Sequence, residues 1–88
     1  MAAPATSAAK LIAQYIEPNP HRPGADEVRI RGTGVPVWAL IGQFEATGRD
    51  RQRTATAYRL PVEALDAALA YYERHRAVIR ARIAANAA

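Results

Sequence analysis

Large apolar residues crowd the start of the chain, alternate with charge once, and then settle into helical steps. Leu11 to Ile16 (LIAQYI) is dense in large and β-branched side chains and ends at Glu17-Pro18-Asn19-Pro20, which stops regular structure; it reads as a strand. A helix starting near Ser7 competes with that reading, because SAAKLIAQYI also holds helix formers. His21 to Asp26, with Pro23 and Gly24, prolongs the break as a loop. Val28 to Arg31 (VRIR) then alternates, so Val28 and Ile30 should point inward and Arg29 and Arg31 outward. Two strands alone are marginal in water, which predicts that they are completed across a dimer.

From Gly32-Thr33-Gly34-Val35-Pro36 onward the period changes. Pro36 biases Val35 to an extended shape and suits the first turn of a helix, so a helix should begin at about Pro36 or Val37. Val37, Leu40, Ile41 and Phe44 form one stripe at i, i+3, i+4 and i+7, and Gly48 ends it. Trp38 lies off the stripe and should either cover the strands or face another chain.

Asp50 can cap a short helix that runs to Ala57, and Pro61 can open the next. On a helix-turn-helix frame the small Ala55 falls where the two helices approach, and Tyr58, Leu60, Leu65 and Ala68 lock the pair. Such turns often carry glycine in the left-handed region; here Tyr58 or Arg59 must take that place, so the turn is unusual or strained. An ordinary helical hairpin with no nucleic-acid role is the competing reading.

Val62, Leu65, Leu69, Tyr72, Arg76, Ile79 and Ile83 continue in steps of three and four, predicting one long last helix to about Ile83. About 22 residues would span roughly 33 Å, longer than a three-helix core covers, so the part beyond His75 is expected to project. Tyr72, Arg76, Ile79, Arg80 and Ile83 on that rod would then dock a partner or a second copy.

The expected fold is mainly α with a small N-terminal β-hairpin, a three-helix helix-turn-helix core and a long C-terminal helix. It divides into a disordered tail at 1–9, a hairpin or dimerisation arm at 10–36, the core at 37–75 and the helix extension at 76–88.

Composition narrows the chemistry. There is no cysteine, so disulfides and thiolate metal sites are excluded, which fits a cytoplasmic location. No apolar run reaches the roughly 20 residues of a membrane span, and MAAPATSAAK lacks the basic front and leucine-rich segment of a signal peptide. His21 and His75 stand far apart with no metal-ligand spacing, and Glu63 and Asp66 at a helix start are explained by the helix dipole. No catalytic, cofactor or metal residues are therefore expected.

The net charge of +4 and pI near 10.1 permit a polyanion partner. Arg49, Arg51, Arg53 and Thr54 are placed to meet phosphates, with Arg59 in the turn and Glu63, Ala64, Asp66 and Ala67 at the start of the next helix left for base reading. Two acids there would repel phosphates. Either Arg59 does most of the reading, or Arg29 and Arg31 on a β-ribbon are the alternative contact.

IRGTGVPVWALIGQF followed by RDRQRTATAYRLPVEALDAALAYY resembles the family catalogued as domain of unknown function 433. The ordered markers are Gly32, Thr33, Pro36, Val37, Gly48, Tyr58, Leu60, Glu63, Ala68, Leu69 and Tyr71. Gly34 stands where that pattern usually has arginine, and Pro61 where it has a serine or threonine cap. The resemblance implies an antitoxin of a bacterial type II pair, similar to VapB-type partners. It would block a PIN-like ribonuclease toxin and repress its own operon by binding operator DNA. A dimerisation or adaptor module, or a stand-alone transcription factor, are the alternatives.

Overall fold

The computed structural model describes residues 4–87. They form helix α1 (Pro4–Tyr15), strands β1 (Ile16–Glu17) and β2 (Arg29–Ile30), and helices α2 (Val37–Ala46), α3 (Arg51–Ala57), α4 (Val62–Arg74) and α5 (Arg76–Ala87). The mainly helical architecture with one small antiparallel hairpin is the one expected, but its two ends differ from expectation.

At the front, the helix that competed with a strand over 11–16 is the one that forms. Leu11, Ile12 and Tyr15 share a helical face and pack against the core, which alternation would not have allowed. Only Ile16 of the expected strand stays extended. The tail expected at 1–9 is correspondingly cut short, since α1 already begins at Pro4; its first three residues lie outside the described residues.

β1 and β2 pair with Ile16 opposite Ile30 and Glu17 opposite Arg29, and both isoleucines are buried. The turn after β2 closes by Ile30 N–H to the Val35 carbonyl (2.8 Å). Within it the Thr33 hydroxyl donates to the Ile30 carbonyl and accepts from Val35 N–H, each at 3.0 Å. Gly34 sits at φ 76, a conformation that costs glycine nothing and an arginine about 1 kcal/mol or more. One isoleucine from each strand, Ile16 and Ile30, thus joins the common core.

α4 is the central helix, touched by α1, α2, α3 and α5. Its Ala64, Ala67 and Ala68 are fully buried, and side chains that small let neighbouring helices approach closely. The stripe Val37, Leu40, Ile41 and Phe44 on α2 is buried as expected, and so is Leu65. Tyr58, Leu60 and Leu69 are partly buried against the same core. The Tyr71 hydroxyl donates to the Ala25 carbonyl at 2.6 Å, tying the loop before β2 to α4.

The long last helix does not project. It breaks at His75 (φ −135, ψ 37), and α5 turns back onto α2. Ile79, expected on an exposed rod, is fully buried, and Ile83 packs partly on the core. Burying Ile79 contributes about 1.5–3 kcal/mol, and together with the half-covered Ile83 and the contacts of Arg80 and Arg82 it offsets the helical hydrogen bonds given up at the bend, about 0.5–1.5 kcal/mol each. Tertiary contact therefore overrides the unbroken helical spacing. No helix is long and apolar enough to cross a membrane among the described residues.

Candidate nucleic-acid interface

α3 is short, and a residue with left-handed backbone stands near each of its ends. Asp50 caps its start, accepting the Arg53 N–H at 3.0 Å. Before that cap, α2 ends with Gly48 N–H on the Glu45 carbonyl and Arg49 N–H on the Phe44 carbonyl; Gly48 takes φ 75 and Arg49 φ 64. α3 ends in the same way, with Arg59 N–H on Thr56 (3.0 Å) and Leu60 N–H on Ala55 (2.9 Å). This pairing satisfies carbonyls that a helix terminus would otherwise leave open, and its left-handed position usually belongs to glycine. Here Arg59 occupies it at φ 57. Arg49 and Arg59 are the two non-glycine residues with positive φ among the described residues, and they stand one at each end of α3.

The arginines divide sharply by what they touch. Arg29 meets Glu17 at 2.8 Å, and Arg31 donates to the carbonyls of Ala13, Gln14 and Ile16 at 3.0–3.2 Å, closing the end of α1. That β face therefore does not offer the two unengaged guanidiniums expected of a DNA-reading ribbon. Arg76 pairs with Glu73 (2.6 Å), Arg80 with Glu45 (2.7 Å) and Arg82 with Glu27 (2.9 Å). Arg82 also lies 4.3 Å over the ring of Trp38, which answers where that indole goes: under α5. By contrast, Arg49, Arg53, Arg59 and Arg74 have no carboxylate partner among the described residues. The first three frame α3; Arg74 lies at the far end of α4. Arg49 rests 5.2 Å over the Phe44 ring, which holds its charge at the surface without neutralising it.

Several residues expected to meet DNA are otherwise engaged. Arg51 is held by Asp66 through two hydrogen bonds of 2.8 Å, and that carboxylate raises the arginine's pKa, so both serve to clamp α3 to α4. Thr54 is fully buried, donating to the Asp50 carbonyl at 2.8 Å and bonded to the Thr47 hydroxyl at 3.1 Å, out of reach of phosphate. Ala64 and Ala67 face the core, and Glu63 is left as an exposed acid on α4 with Glu73 further along. Arg53 and Arg59 stay exposed, as does Arg49.

The set expected to dock a partner changes most. Tyr72 and Ile79 are buried. The charges of Arg76 and Arg80 are engaged by Glu73 and Glu45, which raise their pKa values, and Ile83 is half covered. Among the described residues no pocket opens, and no three His, Asp or Glu side chains gather at metal-binding range.

Together these features define a small, mainly helical module with one two-stranded hairpin, its helices gathered on α4. The chain belongs to the family described as "Protein of unknown function (DUF433)", whose model matches residues 26–72, from the loop before β2 to Tyr72 at the core face of α4. No curated protein and no solved structure matches it. α1 and α5 lie outside the matched segment.

Proposed function

We propose that the protein acts by holding other macromolecules, as the antitoxin of a bacterial type II toxin–antitoxin pair. In this reading it works in the cytoplasm as a homodimer, blocks a PIN-like ribonuclease and contacts operator DNA to repress its own operon. The observation that carries the DNA half is the rim of α3: Arg49, Arg53 and Arg59 lack acidic partners among the described residues, while most other arginines are paired. Two of the three are kept in a backbone conformation that costs about 1–2 kcal/mol for a side chain other than glycine, and strain of this kind concentrates where function requires it. The toxin half is supported by the marker pattern from Ile30 to Tyr71. Because Ile79 and Tyr72 are internal, the side of α5 left for a toxin is the outer one, where Val78 is 42% exposed.

The rim suits phosphates better than bases. Guanidiniums at the two ends of a short helix can bridge backbone oxygens, whereas the exposed Glu63, with no basic partner among the described residues, gives the start of α4 the wrong sign for lying in a groove. Binding is then weakly sequence-selective within one subunit, and selectivity falls to spacing between the two subunits of a dimer.

The acid-bearing outer face of α4 and the engaged Asp66 favour a second reading, an adaptor whose helix pair is structural only. Co-expression with the product of the neighbouring gene, followed by mass measurement of the purified assembly with and without the gene's own upstream DNA, separates the two. An antitoxin gives a protein complex whose mass rises with DNA. An adaptor gives a complex indifferent to DNA, and a chain that copurifies alone refutes the toxin half.

A further inference from the structure

We propose that α5 is an exchangeable element, and that a second copy of this chain receives it on α2 to form a dimer with swapped C-terminal helices. This inference is independent of the nucleic-acid reading. Residues 62–88 contain neither glycine nor proline and are rich in alanine and arginine, so their intrinsic preference is one continuous helix. The break is a single non-helical residue, His75, whose N–H returns to Tyr71 and Tyr72. Helical bonding resumes only with Ile79 N–H on the His75 carbonyl at 3.1 Å, and no hydrogen bond runs from the N–H groups of Arg76, Ala77 or Val78 back to α4.

The contacts that cross the bend itself, Arg76 on Glu73 and the His75 ring stacked on Tyr71, lie at helical spacings of three and four and suit a straight helix as well. What seats α5 on the body therefore comes from distant sequence. α5 packs on α2 more than on its neighbour α4. Arg80 reaches Glu45 on α2, and Arg82 reaches Glu27 before β2 and Trp38 on α2. None of these contacts needs α5 to belong to the same chain. If the hinge straightens, a helix over 62–87 spans about 39 Å and carries α5 out of reach of its own α2. A partner's α5 then fills the vacated slot, restoring Ile79 and the ion pairs, while the N–H groups after His75 regain helical acceptors. The exchanged dimer keeps the closed contacts and relieves the bend, and what opposes it is the entropy of association, which concentration offsets.

The test uses the full chain carrying Arg80→Lys, prepared with nitrogen-14 and with nitrogen-15, mixed and refolded together at high concentration. Zero-length carbodiimide coupling joins the new amine to Glu45, and the dimer fraction is isolated by size and read by mass spectrometry. The proposal predicts that about half of these links join light to heavy chains, as random pairing of a two-fold dimer requires. Links confined to one isotope overturn it. His75→Ala and His75→Gly decide the matter where coupling is sparse: alanine favours the straight hinge and glycine the bent one, so the dimerisation constants should differ by about tenfold or more. Equal constants, or monomers for both variants at millimolar concentration, also overturn it.

Discussion

Arg49, Arg53 and Arg59 around α3, and Arg76, Arg80 and Arg82 on α5, are equally arginine-rich stretches of one small chain, yet their surroundings are opposite. Each guanidinium of the α5 group has a carboxylate within 2.6–2.9 Å, drawn from Glu73, Glu45 or Glu27. None of the α3 group has one among the described residues, and two of its three members sit at positive φ. The α5 arginines hold a helix down; the α3 arginines are held out. Net charge alone does not separate the two jobs, since only charge left uncompensated by the fold is available to a polyanion.

The contrast breaks most visibly at α5. Ending the chain after His75 removes the buried Ile79 and bares the side of α2 that carries Trp38 and Glu45, so the shortened chain should lose its cooperative unfolding transition. The gentler Ile79→Ala should cost about 2–5 kcal/mol in denaturant unfolding. A truncated chain that unfolds like the full one would return α5 to the projecting rod that its spacing suggests.

Arg59→Gly sharpens the contrast by moving two properties in opposite directions. Relieving a left-handed arginine should raise stability by about 1 kcal/mol, or roughly 4–8 °C in thermal midpoint for a domain this size, while weakening DNA binding. A variant that gains stability without losing affinity would assign Arg59 to the turn alone.

The smallest effect concerns Tyr71, whose pKa burial pushes up, helped by the charge of Asp26. The folded chain keeps the phenol proton where the unfolded chain gives it up, so this part of stability is intact below about pH 10 and is lost as pH rises further. Tyr71→Phe lacks both that dependence and the 2.6 Å bond to Ala25. It should be about 1 kcal/mol less stable at neutral pH, with the gap closing in alkaline unfolding curves; a constant gap would mean that the phenol does not titrate differently on folding.

Local chemistry made the middle of the chain legible. Pro36, the stripe from Val37 to Phe44, Gly48 and the Asp50 cap stand where spacing and capping placed them, and of the two candidates for the left-handed turn, Tyr58 and Arg59, it is Arg59 that takes it. Non-local energy hid the ends. An apolar run such as LIAQYI suits either a strand or a helix, and its fit on α4 decided the matter. The bend at His75 has no breaker residue to announce it, because its cause is a slot formed by α2 far upstream. For the same reason the site was half legible: the arginines were visible, but the acids that occupy Arg51 and Arg80 lie 15 and 35 residues away.

The most direct test is the salt dependence of binding to the gene's own upstream DNA, followed by fluorescence anisotropy for three folded proteins: wild type, Arg53→Ala with Arg59→Ala, and Arg76→Ala with Arg80→Ala. Each lost phosphate contact removes about 0.9 from the slope of log affinity on log salt, so the α3 pair should flatten it by about 2 per subunit and the α5 pair should leave it unchanged. Equal slopes in all three, or wild-type binding that ignores salt, would contradict the assignment of α3 as the nucleic-acid face.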